Sequence, residues 1–333
     1  MLQKLFGFDQ KTMDLRTEVI AGLTTFMTMS YILAVNPDIL SQASMDKGSV
    51  FTATALSSAV ATILLAFIAK MPFALAPSMG INAFFAFTLV QGMGYSWQAA
   101  LAAIFLEGIV FILISFFNIR EKIVNSIPLN LRYSISVGIG MFIAFIGLKN
   151  AGIIDASPTT YVTLGKFTPA ALVAILGILL STTLLWRKVR GGLFYSIILC
   201  TAIGIPFGVT VLPENFMPVS MPQSMEPTFL KFDFAPLFTF DMLIIVLILI
   251  FMDIFNTVGT LVGTAAQAKM LDKNGNLPRM KQALIADSFG TTFGSICGTS
   301  TVSTYVESAA GIAEGGRSGV TALTVGALFL LSL

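Results

Sequence analysis

The sequence predicts an all-α protein that crosses a membrane many times. Three features carry the prediction. Of 333 residues, 56% are hydrophobic and only 11% charged, whereas soluble domains carry about 25% charged residues. The apolar residues gather into runs near the ~20 residues that a helix needs to cross the hydrocarbon core. The basic residues favour alternate connections between those runs, as the positive-inside rule requires.

Eleven spans follow from the runs. The first, residues 19–40, is a long apolar helix with a polar patch from Thr24 to Tyr31, and the second, 50–69, is rich in small residues. The third, 73–91, is short and interrupted by Pro77 and Gly80. Span four, 98–117, holds Glu107; spans five to seven, 132–149, 169–186 and 192–212, are plainly apolar. Residues 213–240, with Glu214, Glu226, Asp233 and several prolines, read as an extended surface crossing. Span eight, 241–267, carries Asp253, Asn256, Thr257 and Thr260. A hydrophilic turn, Asp272–Asn276, precedes span nine, 282–298, which holds Asp287 and glycines at 290, 294 and 298. That four-residue spacing favours close helix packing. The tenth, 300–314, is short and broken, and the eleventh is 318–333. With the N-terminus cytoplasmic, only Lys47, Lys149, Lys166 and Lys231 of the 19 basic residues fall outside. A miscounted span would scramble every later assignment, so count and orientation support each other.

Composition also excludes functions. There is no histidine, so proton traffic must use carboxylates. Cys200 and Cys297 lie in apolar segments and read as packing residues; no disulfide, metal or cofactor pattern is present. A net charge of +2 gives no ground for a nucleic-acid partner. No nucleophile–base pair, zinc spacing or phosphate loop is visible, so an enzyme is not expected. The first 18 residues hold no long apolar core, which argues against a cleaved signal peptide.

Two parts of the chain look alike. Each begins with a polar-patched apolar helix (Thr24–Tyr31; Met252–Thr260), continues with a small-residue helix, and then reaches a broken segment (Ala76–Phe85; Gly298–Gly311). Seven spans separate the two starts, so the second copy is inverted. Inverted repeats with discontinuous helices place substrate sites near the midplane. This organisation divides the chain into a first repeat, 1–212, an external loop, 213–240, and an incomplete second repeat, 241–333.

The polar groups at membrane depth are the candidate site. A charge at the bilayer centre costs about 2.5–3.5 kcal/mol on insertion scales, and broken backbone is tolerated there only against protein or a water-filled cavity. Glu307 therefore reads as a site group, able to accept N–H bonds from a flat heterocycle; a buried ion pair or a protonated packing residue are the alternatives. Asn82 offers a donor and acceptors and reads either a ring edge or an interhelical partner. Asp253 and Asn256 share a helix face, as a site or as a structural cluster. Asp287 and Glu107 are weaker candidates. Phe26, Phe84, Phe85 and Tyr305 lie near these groups, where aromatic faces suit stacking.

Four stretches, Thr17–Leu33, Ala76–Phe85, Asp253–Thr260 and Gly298–Arg317, together resemble the AzgA-like purine permeases of the nucleobase/ascorbate transporter superfamily. The resemblance implies proton-coupled uptake of hypoxanthine, guanine or adenine across the plasma (inner) membrane. It implies fourteen spans in two inverted repeats of seven, split into core and gate, with the broken third and tenth spans facing each other as short extended segments. On this reading Asn82, Asp253, Asn256, Glu307, Thr304 and Phe84 bind the base, and Glu307 and Asp253 couple the proton. The lipid bilayer is the other partner, and a homodimer stays open. Two departures stand out. The family's eighth-span motif carries a second aspartate where this chain has Asn256, which cannot take up a proton. The sequence also reaches only the eleventh span, so a C-terminally truncated chain is expected. A non-transporting fragment or scaffold, and an anion carrier of the same architecture, are the competing expectations.

Overall fold

A computed structural model describes residues 2–116, 147–157, 159–187, 192–211, 221–267, 269–273 and 277–333, with Val189 and isolated positions between 134 and 145. Half of the fifth span, Glu214 of the external loop and Asn274–Asn276 of the hydrophilic turn lie outside the described residues. Two compact units emerge, Met1–Ser136 with Pro222–Leu333, and Val137–Met221.

The first unit opens with a short helix α1 (Leu2–Phe6), then α2 (Leu15–Met29) and α3 (Ile32–Ser41). The first span is thus one helical path with a break at Ser30–Tyr31, where a single long helix was expected. The hydroxyls of Thr28 and Ser30 bond back to carbonyls of the preceding turn, and such bonds compete with the helical ladder. Helix α4 (Lys47–Ile68) follows, then strand β1 (Leu75–Pro77) and helix α5 (Met79–Ala83), which runs on as a π-helix over Phe84–Gly92. Helix α6 (Trp97–Phe116) closes the first set.

In the second unit a hairpin of β2 (Ile154–Ser157) and β3 (Tyr161–Leu164) precedes α7 (Pro169–Trp186) and α8 (Gly192–Gly204). The hairpin was not foreseen, although Tyr161-Val162-Thr163 suits a strand. The Ser181 and Ser196 hydroxyls join α7 to α8 at 2.7 Å.

The first unit resumes with α9 (Phe240–Gln267), α10 (Met280–Cys297), strand β4 (Val302–Thr304), α11 (Ser308–Ala313) and α12 (Gly319–Leu331). The loop before α9 is docked rather than free. The Gln223 and Ser224 carbonyls accept from Thr52 and Ser49 on α4, and Leu230 N donates to Ile296 O. Among the described residues, five helical stretches are long and apolar enough to cross a membrane: Leu15–Ser41, Lys47–Ile68, Trp97–Ser115, Pro169–Trp186 and Phe240–Ala266. Helix α10 is not among them, because Asp287, Ser288, Thr291 and Ser295 make it polar; all four are buried against protein.

Packing in the first unit is reciprocal. Helix α12 lies on α4, and α6 lies on α10. Glycines set both contacts: Gly108 of α6 faces Thr292 of α10, and Gly326 of α12 faces Ile63 of α4. Gly290 meets Ala61, and both Gly290 and Gly294 meet Val302, so the four-residue glycine spacing brings α4, α10 and β4 together. Gly298 ends α10 in the left-handed conformation, φ 96°, which glycine adopts without the usual Cβ penalty.

Candidate functional site

The two broken segments meet. Strands β1 and β4 pair antiparallel, with Leu75 opposite Thr304, Ala76 opposite Ser303 and Pro77 opposite Val302. The hydrogen bonds around this crossing come in matched pairs. Ser78 N donates to Thr301 O at 2.8 Å, and Tyr305 N donates to Ala74 O at 2.9 Å; each donor lies two residues after, and each acceptor two residues before, the central pair Ala76–Ser303. Thr62 on α4 donates its hydroxyl to Leu75 O at 3.1 Å, and Thr291 on α10 donates to Val302 O at 2.8 Å. Both carbonyls belong to the residue just before the central one. Two short strands buried in apolar surroundings need such partners, since an unpaired buried backbone group costs about 1–3 kcal/mol. The extended, mutually facing segments implied by the family resemblance are therefore present.

The side chains around the crossing fall into three sets. Asn256 on α9 sits at the centre. Its Nδ2 donates to Ser303 Oγ at 2.8 Å and to Ser78 Oγ at 3.1 Å, so one amide ties both broken segments together. An aspartate there would accept from those serines; the asparagine donates and carries no titratable proton.

Asn82 lies in α5, fully buried. Its Nδ2 donates to Asn36 Oδ1 at 2.5 Å, and its Oδ1 accepts from Ser300 Oγ. Asn36 in turn donates to Thr54 at 2.6 Å and to Thr299 at 2.8 Å. This network joins α3, α4, α5 and the segment leading into β4.

Glu307 is the residue before α11 and is partly buried. Its Oε1 accepts the Tyr31 hydroxyl at 2.5 Å, linking the tenth span to the break in the first. The neighbouring Tyr305 hydroxyl donates to Pro77 O at 2.5 Å. Thr304 is buried, and its hydroxyl has no partner among the described residues.

Asp253 sits apart from these contacts. It is fully buried and accepts from Thr257 at 3.2 Å, while the same hydroxyl reaches Asp287 on α10 at 2.9 Å. Phe84 is partly buried where α5 becomes π-helical, Phe85 is fully buried, and Phe26 packs edge-on against Phe329. Glu107 accepts from Thr301 at 2.8 Å, beside β4.

Sequence reasoning passed over three residues that the structure draws in. Tyr31 belonged to the polar patch but had no role. Asn36 is an amide inside an apolar span, which is a signal in itself. Glu18 was lost because the first span was started at residue 19. It is buried, and its carboxylate accepts from Arg317 N at 3.0 Å, Ser318 N at 3.2 Å and the Thr321 hydroxyl at 2.5 Å. It thereby ties α2 to the turn that leads into α12, whose N-cap is Ser318.

A helical membrane bundle whose two broken spans cross as antiparallel strands, with polar groups gathered at the crossing, is a membrane transporter of the inverted-repeat kind. The chain belongs to the Permease family (Xan_ur_permease), which matches residues 16–333. It is 43% identical to the guanine/hypoxanthine permease PbuG of Bacillus subtilis (strain 168), over 99% of this chain and 77% of that protein. It is 42% identical to the adenine permease AdeP of Escherichia coli (strain K12), over 99% and 74%. These relatives bear out the resemblance read from the sequence and the expectation of a transporter rather than an enzyme. Among solved structures, the transmembrane domain of a cyanobacterial bicarbonate transporter, BicA, superposes with a TM-score of 0.65. The two are 14% identical, over 95% of this chain and 81% of that one. At that identity the likeness concerns the fold.

Proposed function

We propose that the chain carries purine nucleobases (hypoxanthine, guanine or adenine) into the cell together with a proton. The observation that carries this reading is Glu307: a partly buried carboxylate in the broken tenth span, three residues after β4 and held by one tyrosine hydroxyl. A purine presents N–H donors and ring acceptors in one plane. A protonated carboxyl both donates and accepts, so Glu307, once it has taken up the proton, matches a ring N–H and its neighbouring acceptor. Asn256, whose two amide N–H groups go to Ser303 and Ser78, offers its Oδ1 as an acceptor. The relatives named as guanine/hypoxanthine and adenine permeases support the same substrate class. The tight packing of Asn82 within its own network favours a role in holding α5 to the tenth span, with the base touching it only if Ser300 or Asn36 yields.

In this mechanism Glu307 takes a proton from the outer side, the base binds between the two broken spans, and rocking of core against gate opens the site inward. Asp253, with Asp287, is a second acidic station. Residues 1–212 and 241–333 act as the two inverted repeats, and the N-terminus is cytoplasmic. Uptake of labelled hypoxanthine by the wild type and by Glu307→Gln, measured across pH, tests the assignment: the variant loses the pH-dependent component. Undiminished pH-dependent uptake in the variant refutes it. A bicarbonate or sulfate that competes with hypoxanthine would instead favour an anion carrier.

A further inference from the structure

The break in the first span has a contact that the symmetry of the crossing does not require. Tyr31, between α2 and α3, places its hydroxyl 2.5 Å from Glu307 Oε1. Tyr31 is partly buried, flanked by the fully buried Met29 and Ile32, and α11 packs against α2. A hydroxyl that donates to a carboxylate makes a charge-assisted bond, roughly twice as strong as one to a neutral group. The bond therefore depends on the ionisation state of Glu307.

We propose that Tyr31 is a positioning residue for Glu307: its hydroxyl fixes the ionised carboxylate, and protonation of Glu307 weakens the tether between α11 and the break in the first span. The proposal rests on the purine:proton reading. The proton comes from water to the Glu307 carboxylate, and Tyr31 keeps its own. An ionised Glu307 can only accept, so the tyrosine must donate. Once Glu307 is neutral, the charge that strengthened this bond is gone and the Tyr31 contact loosens, while α2 stays packed on α11 where Gly311 lies against Ala21 and Thr25.

The other ionisable groups on the elements packed against α11 are engaged elsewhere. Tyr305 donates to Pro77 O. Glu18 on α2 accepts from Arg317, Ser318 and Thr321, and the Arg317 side chain donates to Ile312 O and Gly316 O. Asp253 on α9 accepts from Thr257. Arg16 and Asp241 are exposed at the starts of α2 and α9.

The test uses the full chain in lipid vesicles, with Tyr31→Phe and Glu307→Gln made singly and together. Infrared difference spectra across pH identify the Glu307 acid as the protonated-carboxyl band absent from Glu307→Gln. In Tyr31→Phe the midpoint of that band moves up by about one pH unit, a tenfold change in proton affinity, and the uptake profile moves with it. Fluorinated tyrosine at position 31, a stronger donor of nearly the same shape, moves the midpoint down. Adding Tyr31→Phe to Glu307→Gln costs no further uptake, because the two groups act as one unit. A midpoint unmoved by both changes at position 31 overturns the proposal, as does an additive loss in the double variant. The spectra need no purine, so failure of the purine reading appears separately, as absent hypoxanthine uptake with the midpoint shift intact.

Discussion

The two halves of the strand crossing share a backbone and divide the chemistry. On the first side α4, β1 and α5 supply Leu75, Ala76 and Pro77, then the neutral amide of Asn82. On the second, α10, β4 and α11 supply Val302, Ser303 and Thr304, then the carboxylate of Glu307. The matched hydrogen bonds around Ala76 and Ser303, and the matched threonines Thr62 and Thr291, show that the scaffold is two-fold. Two-fold backbone determines where a pocket can form between opposed segments. What that pocket holds depends on the side chains that break the symmetry, and the ionisable one is on the second side.

The largest effect is therefore expected from Glu307→Gln. Glutamine cannot change its protonation state, and a buried group left without its partner costs about 1–3 kcal/mol, so purine affinity falls by roughly 5- to 150-fold and its pH dependence flattens. Asn82→Ala, its counterpart on the first side, leaves Asn36 Oδ1 and the Ser300 hydroxyl without their partner. It lowers thermal stability by about 1–3 kcal/mol and leaves the pH dependence in place. If the alanine variant instead flattened the pH profile and Glu307→Gln did not, the division of roles would be reversed.

The scaffold half of the comparison is sharpened by Thr62→Val and Thr291→Val. Thr291 serves one carbonyl, whereas Thr62 both donates to Leu75 O and accepts from Leu75 N at 2.9 Å. Thermal unfolding should therefore register a loss of about 1 kcal/mol for Thr291→Val and roughly twice that for Thr62→Val. Asn256→Asp asks whether a titratable group can be restored at the centre. The serines Ser78 and Ser303 can reverse and donate to it, so purine affinity at neutral pH changes by about 1 kcal/mol, roughly fivefold. Uptake then gains a second titration step; an unchanged pH profile would show that position 256 lies off the proton path.

The smallest effects lie at the helix starts. The Thr17 hydroxyl and amide hold the Asp14 carboxyl below its ordinary range, and the Ser49 hydroxyl and amide do the same for Asp46. Both groups favour their ionised form when folded. Their capping contribution is fully present above the ordinary aspartate value of about 3.9 and fades as pH falls through the lower folded value. Hydrogen exchange at Thr17 and Ser49 should accelerate in that acidic window, while the amides of the strand crossing stay protected.

Much of this was legible in the sequence. The described elements coincide with ten of the eleven expected spans, because apolar length and basic asymmetry are properties of segments. The two interruptions were legible because Pro77, Gly80 and the Gly298–Gly311 run depart from helical composition. Contacts between distant segments were not legible. Nothing in Thr28-Met29-Ser30-Tyr31 announces that its tyrosine meets a residue 276 positions away. Asn82 was read as meeting either a ring edge or an interhelical partner, and the network its amide joins is one that only the fold assembles. Glu18 fell one residue outside the expected span, and its hold on the turn before α12 depends on the return of the chain at Arg317 and Ser318.

The central claim, that Glu307 carries the proton that travels with a purine, is most directly tested by counting protons. Calorimetric titration of hypoxanthine in two buffers of different ionisation enthalpy gives the protons taken up per base bound. The wild type should take up a sizeable fraction of one proton near the pH where Glu307 titrates, and Glu307→Gln close to none. An equal proton count in the two proteins would contradict the account.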